Sequence, residues 1–187
     1  MNTIAIQDQT TSDYEIAKRV LLRSILNEET DVENRESLGS MIPIRLFQVL
    51  RMIALGAGVE ELIGPGASAM VYQSGASLGR ILGNAVNESK DKDLDMYVGE
   101  IGALCQRLSI GMVVPTRVDL DSGELDFRVD ECVSCAGIHG VNAPICHFEA
   151  GMVGGIVGEF AGRNVKAIET KCNAIGDKTC AITAQIL

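Results

Sequence analysis

The chain has 187 residues, of which 47% are apolar and 22% charged, and carries a formal net charge of −9 at pH 7. That length suits one domain of ordinary size with an appended segment, and that much apolar material builds a real core, which excludes general disorder. The acidic balance gives no diffuse basic field for a phosphate backbone, and with no tryptophan, four phenylalanines and three tyrosines there is little to stack bases on, so nucleic-acid binding is excluded as a main role.

The start, MNTIAIQDQTTSDYE, lacks the basic opening and apolar core of a signal peptide. No stretch offers the roughly 18 uninterrupted apolar residues of a membrane span. The expectation is a soluble cytoplasmic protein with no membrane insertion. In a reducing compartment its six cysteines read as thiols or metal ligands rather than disulfides.

Residues 1–11 are polar. Ser12 then suits the cap of a helix with Ile16, Val20, Leu21 and Ile25 at helical spacing, ended by the charged run 27–36. Residues 1–37 are therefore expected to be a helical appendage and 38–187 a ligand-binding domain. Pro43 suits the first turn of a second helix, Ile44 to about Leu55, with Leu46, Val49, Leu50 and Ile53 on one face and Gly56 and Gly58 beyond its end.

A third helix, from about Ala67 to Asn87, mixes apolar residues with Ala69, Gly75, Ala76, Gly79 and Gly83, which implies close approach of another backbone or a ligand. A fourth, Leu94 to Leu108, holds Ile101, Leu104 and Cys105 at core spacing, with Cys105 read as a small buried hydrophobe. The period then changes to two. Met112–Asp119 and Leu125–Val129 read as a hairpin around Asp121-Ser122-Gly123-Glu124, with Pro115 at an edge or bulge.

A linker at 130–145 leads into a helix, about Ile145 to Gly162, with Phe148, Met152, Ile156 and Phe160 on one stripe and Gly151, Gly155, Gly158 and Gly162 on another. Its interior glycines cost on the order of 4 kcal/mol relative to alanine, which close packing must offset. A second hairpin, 164–170 with 179–186, ends the chain. The fold class is α+β: a four-stranded antiparallel sheet packed against helices.

Chemistry concentrates in Cys146, Glu169, Cys172 and Cys180. Cys172 and Cys180 flank a turn at Gly176-Asp177, so a hairpin brings both to one metal, and Cys146 starts a helix, where orphan amides favour its thiolate. Four protein ligands make a structural zinc site. Glu169 and Cys172 are three apart and would face opposite ways in a regular strand, so the set requires a bulge or strand end between them. Three thiolates and a carboxylate leave a charge of −2 on bound zinc, to be offset by amides and cations such as Lys171 or Lys178.

Cys132 and Cys135 form a further C-x2-C pair, which could complete an all-cysteine site with Cys172 and Cys180, hold a second metal, act as a redox dithiol or simply sit in a loop. His139 reads as a surface histidine, and His147 as a substitute ligand if Glu169 faces away. A hydrophobic pocket is expected between the glycine helix and the sheet, lined by Met112, Phe127, Phe148, Met152 and Ile156.

From about Leu38 onward the chain resembles the 4-vinyl-reductase (4VR) domain family, on Pro144 and Cys146, Gly151 and Gly155, then Glu169, Cys172, Gly176-Asp177 and Cys180. The resemblance implies zinc on Cys146, Glu169, Cys172 and Cys180, as in the family's phenol-sensing regulators. It also implies a homodimer with a hydrophobic ligand pocket, in a fold similar to haem-based nitric-oxide sensors and Golgi trafficking subunits. The small residues of the third helix suit such a dimer. Unlike those regulators, the chain has no tryptophan and no ATPase or DNA-binding domain, which points away from phenol and from direct transcriptional control.

The leading expectation is a zinc-stabilised, sensor-type module for a small hydrophobic molecule, acting through an unidentified protein partner and with no catalytic residues. Two others stand beside it. One is an enzyme or accessory factor in reduction of a tetrapyrrole vinyl group, although no dinucleotide fingerprint or P-loop occurs. The other is a trafficking or assembly scaffold.

Overall fold

The computed structural model describes residues 12–29, 35, 37–38, 40–87 and 93–187. The expectations for residues 1–11 and for most of the charged run lie outside the described residues. The chain divides into two units, Met1–Met41 and Ile42–Leu187. In the first, α1 (Asp13–Leu26) is capped by Ser12, whose hydroxyl accepts from the Glu15 amide at 3.3 Å. Its Ile16, Val20 and Leu21 are exposed.

The second unit opens with one helical run in three windings: α2 (Ile44–Gln48), a π-helical segment (Val49–Ala57) and α3 (Gly58–Ile63). The helix thus passes through Gly56 and Gly58 instead of ending near Leu55. Wider π winding slips the phase of the side chains. As a result the face expected in the core points outward, with Leu50 and Ile53 52% and 61% exposed, while Gln48 and Arg51 are 5% and 4% exposed.

After a short 3-10 turn comes α4 (Ala67–Val86), followed by α5 (Leu94–Arg107), which Asp93 caps by accepting from the Met96 amide at 2.8 Å. Four antiparallel strands follow, β1 (Met112–Asp119), β2 (Glu124–Asp130), β3 (Val165–Lys171) and β4 (Cys180–Ile186), in the order β1-β2-β4-β3. Pro115 lies in edge strand β1, where the register shifts between Pro115 and Arg117, because a residue without an amide hydrogen cannot serve a regular ladder. The α+β class and the four-stranded sheet are as expected.

Helix α6 (His147–Ala161) lies between α4 and the sheet and is buried over most of its length. Its glycines make that possible. A Cβ on Gly151 would sit 2.0 Å from the Tyr72 carbonyl oxygen, and one on Gly155 2.2 Å from that of Ala76. Reciprocally, Cβ atoms on Gly75 and Gly79 would strike the Phe148 and Met152 carbonyls at 2.0 and 2.1 Å. The two helices are in backbone contact, each filling the space the other's missing side chains leave. The small residues of α4 that suggested a dimer are thus taken up by α6 of the same chain.

The other side of α6 rests on the inward face of the sheet, formed by Leu125, Phe127 and Val129 of β2, Ala167 and Glu169 of β3, and Cys180, Ile182 and Ala184 of β4. That face alternates with period two, and it puts two of the expected ligands, Glu169 and Cys180, directly beneath the start of α6.

Candidate metal centre and neighbouring cavity

Five thiols converge at the N-terminal end of α6. Cys132 and Cys135 come from the loop after β2, Cys146 from the helix cap, Cys172 from just beyond β3 and Cys180 from the first residue of β4. All five are free and at most 2% exposed. Their ligand atoms, with Glu169, fall into two quartets whose members all lie within 4.8 Å of one another: Cys146, Glu169, Cys172 and Cys180, and Cys132, Cys135, Cys146 and Cys180.

Glu169 and Cys172 reach the same place because the β3–β4 register shifts between Glu169 and Lys171, the bulge that this ligand set requires. The all-cysteine quartet differs from the expected one: the C-x2-C pair meets Cys146 and Cys180, not Cys172 and Cys180. The loop from β2 returns over the helix cap, not over the 3-10 turn (Asn173–Ile175) that carries Cys172 away. Among the described residues neither quartet includes His139 or His147, and with Glu169 turned inward no substitute ligand is needed.

The donor set fits a metal. Sulfur–sulfur separations of 3.6 Å (Cys132–Cys146), 3.3 Å (Cys135–Cys180) and 3.9 Å (Cys146–Cys172) bracket the roughly 3.8 Å edge of a tetrahedron built on 2.3 Å metal–sulfur bonds. Glu169 Oε2 accepts from the Cys146 amide at 2.8 Å, while its buried Oε1 has no hydrogen-bond partner. A buried carboxylate oxygen without a partner is costly unless a cation meets it. The thiols also share protons unequally: contacts with Cys135, Cys146 and Cys180 drive the Cys132 pKa down, while contacts with Cys132 drive those of Cys146 and Cys180 up. Burial pushes Cys172 up to about 11. Metal entry at neutral pH therefore displaces protons.

A second buried network braces the C-x2-C loop. Gln48 Nε2 donates to the carbonyls of Val133 and Ala136, both at 3.0 Å, and Arg45 Nη1 donates to Gln48 Oε1 at 2.7 Å. Ser134 Oγ donates to Glu149 Oε1 at 2.5 Å, and Arg51 approaches Glu149 Oε2 at 3.9 Å while lying over the Phe148 ring, 4.8 Å from its centre. Burial pushes Glu149 up to about 7, helped by Cys132 and opposed by Ser134 and Arg51. Burial lowers the Arg51 pKa, opposed by the charges of Glu149, Cys146 and Cys132. Arg51 is thus the buried cation facing the centre, while Lys171 and Lys178 are not buried.

At the other end of α6 a cavity of about 50 Å³ lies among α5, α6 and the sheet. Of the five expected lining residues, Phe127, Met152 and Ile156 line it, but Met112 and Phe148 do not. Met112 is on the outward face of β1, where Val113 and Pro115 face in, and Phe148 sits under Arg51 near the metal end. Cys105 also lines the cavity, its thiol pushed up to about 11 by burial, which fits the small hydrophobe it was read as. Tyr97 adds a hydroxyl, which donates to the Ile156 carbonyl at 2.9 Å. Among the described residues no helix is long and apolar enough to cross a membrane.

A sheet of this order with a glycine-bearing helix across it and a thiol cluster at one end defines a domain of the vinyl-4-reductase (4VR) type, and residues 125–186 match the model of that domain family. The chain is 29% identical over 178 residues to an uncharacterised protein of Methanocaldococcus jannaschii, MJ0150, covering 93% of this chain and 95% of that one. Its fold is similar to that of the phenol-responsive sensory domain of the transcription activator PoxR, solved with phenol (TM-score 0.63, 16% identity, 94% of this chain and 92% of that one). It is also similar to that of a vinyl-4-reductase family protein from Methanocaldococcus jannaschii (TM-score 0.62, 16% identity, 99% of each chain).

Proposed function

We propose that the chain is a sensor-type binding module. Zinc on Cys146, Glu169, Cys172 and Cys180 fixes one end of α6, the cavity at the other end takes a small hydrophobic molecule, and the response passes to a protein partner in the cytoplasm. The observation that carries this reading is the cavity: its walls are apolar side chains apart from the Tyr97 hydroxyl, which is the lining expected of a site for a small apolar guest. The fold shared with a domain solved with phenol supports it.

At about 50 Å³ the cavity is smaller than the roughly 150 Å³ engineered cavity that admits benzene, so an aromatic guest has to part the walls. α5 is the wall to move, since α6 is fixed against α4 by backbone contact. Ligand entry would then displace a helix, which is a signal a partner can read.

The unit also acts as a homodimer in this proposal. Support comes from the outward apolar side chains Leu46, Val49, Leu50 and Ile53 beside inward Gln48 and Arg51, an inversion that a covering second chain makes favourable.

Native mass spectrometry of full-length protein purified without chelator tests the reading. The expected species is a dimer with metal bound and one small hydrophobic molecule per chain, or one regained on titration with phenol. Ile156→Trp, which fills the cavity, should abolish uptake while keeping the metal. A protein that takes up neither an endogenous guest nor phenol, with the metal in place, would defeat the binding reading.

A further inference from the structure

The two quartets are not rival descriptions of one site, because they share two members, Cys146 and Cys180, and differ in the other two. Six ligand atoms is what a pair of tetrahedral cations needs when two thiolates bridge them, since four positions on each of two ions, with two sulfurs counted twice, require six donors. A single ion takes four donors and leaves two beside it. If it sits in the Glu169 quartet, the thiols of Cys132 and Cys135 stay buried within 4.8 Å of two ligating sulfurs. If it sits in the all-cysteine quartet, the Cys172 thiol and the buried, unpartnered Glu169 Oε1 are left with no cation.

We propose that the centre is binuclear: two divalent cations bridged by the Cys146 and Cys180 thiolates, one completed by Cys132 and Cys135, the other by Glu169 and Cys172. This rests on the metal reading above and extends it by a second ion. Three separate observations carry it. All six donors are buried, so none is a surface thiol that happens to lie near. The bridging sulfurs each have a close sulfur neighbour from the C-x2-C pair, Cys132 at 3.6 Å from Cys146 and Cys135 at 3.3 Å from Cys180, and Cys146 has a third at 3.9 Å in Cys172. The Glu169 carboxylate, held by the Cys146 amide through one oxygen, presents the other to the cluster without a partner.

Charge favours the second ion. Five thiolates and a carboxylate sum to −6, so one divalent cation would leave −4 in a buried site if every thiol ionised, and two leave −2. Arg51, buried and with its Nε and Nη2 free of hydrogen bonds, is close enough to Cys132 and Cys146 for their charge to favour its own. The C-x2-C loop is also the one held by Gln48 and, through Ser134 and Glu149, faced by Arg51. Loading the Cys132–Cys135 ion would therefore fix the inward side of the helical run whose outward side is apolar, tying metal content to the interaction face.

Cobalt(II) titration of the reduced, metal-stripped full-length protein, under argon, tests the pair. The expected charge-transfer and d–d bands of tetrahedral thiolate cobalt rise to a break at two equivalents per chain. The high-spin EPR signal grows over the first equivalent and falls over the second, as ions coupled through shared sulfur lose their separate signals. Cys132→Ala and Glu169→Gln should each bind one equivalent with an undiminished EPR signal, and circular dichroism checks that both remain folded; Cys135→Ser and Cys172→Ser repeat the pair.

A break at one equivalent, unchanged in Cys132→Ala and lost in Cys172→Ser, would overturn the binuclear centre and leave the single zinc site of the proposed function standing. One equivalent lost in Cys132→Ala but kept in Cys172→Ser would overturn both assignments in favour of the all-cysteine quartet. Two equivalents with additive EPR would overturn the sharing of ligands. Iron with acid-labile sulfide in the protein as purified would replace the pair with an iron–sulfur cluster.

Discussion

The two ends of α6 are built from the same helix on the same sheet, yet they hold opposite kinds of interior. At the N-terminal end the sheet offers Glu169 and Cys180 and the preceding loop adds a C-x2-C pair, giving a dense set of ionisable donors with Arg51 facing it. Ten residues further along, at Ile156, the same two surfaces diverge and enclose an apolar cavity of about 50 Å³. The donors need a cation to complete them, whereas the cavity loses only dispersion contacts when empty. The first end is expected to be rigid once loaded, and the second to be the one that yields. What lets them differ is the glycine seam with α4, which holds the middle of α6 whatever happens at either end.

Breaking that seam should therefore erase the contrast, and this is the largest effect expected. In Gly151→Ala the new Cβ would lie 2.0 Å from the Tyr72 carbonyl oxygen, a backbone atom that cannot step aside without separating the helices. A loss of about 3 kcal/mol or more in urea denaturation, with both metal binding and ligand uptake weakened, is expected. Gly99→Ala is the control: Gly99 lies in α5 with nothing within 4 Å of its Cβ position, so helix propensity should raise stability by up to about 1 kcal/mol. Equal effects of the two changes would remove the seam from the account.

A smaller effect concerns the metal end alone. Glu149 is buried, and its carboxyl is pushed from 4.5 up to about 7, first by burial and then by the charge of Cys132. A group whose pKa is raised on folding stabilises the native state below its unfolded pKa and loses that contribution as pH rises through the folded value. Wild-type stability should thus fall between about pH 4.5 and pH 7, by about 3 kcal/mol at most at 1.36 kcal/mol per unit. Glu149→Gln keeps a neutral partner for Ser134, so its denaturation midpoint should vary less across that window and exceed the wild-type value above pH 7. A wild-type midpoint that rises from pH 5 to pH 7 as steeply as that of the variant would contradict the assignment. The cavity end, with Tyr97 as its polar group and no carboxylate in its lining, should show no such dependence.

The two ends also differ in how far the sequence revealed them. The donors were legible because the chemistry is in the residue types: no other part of this chain sets thiols and a carboxylate around a turn, and the bulge after Glu169 could be demanded before it was seen. The sheet and the glycine helix were legible from period. Gln48, Arg51, Ser134 and Glu149 were not, because periodicity assigns apolar positions to the core, and this helical run turns its apolar face outward. The π-helical winding from Val49 to Ala57 leaves no mark in composition, and it shifts the phase by which a face is judged. Cavity residues were half legible for a related reason: Phe148 continues the stripe of Met152 and Ile156, but one turn is enough to leave the cavity and reach Arg51. A stripe tells which side of a helix is buried, not where along it the packing opens.

The smallest effect belongs to the yielding end and separates its two demands. Gly102 of α5 lines the cavity, and a Cβ there would meet only the Val113 carbonyl oxygen at 3.8 Å, ordinary contact. Gly102→Ala removes a helix-interior glycine and places a methyl group against the cavity, so both propensity and packing favour the variant. Thermal stability should rise by the equivalent of about 1 kcal/mol, metal content should stay at the wild-type value, and phenol uptake measured by calorimetry should weaken by roughly tenfold if α5 bounds the ligand space, since about 1.4 kcal/mol of lost fit corresponds to that factor. A more stable protein that binds as tightly as wild type would place the guest away from α5. It would shift the moving wall to the β1–β2 hairpin, whose Val118 and Leu120 close the opposite side.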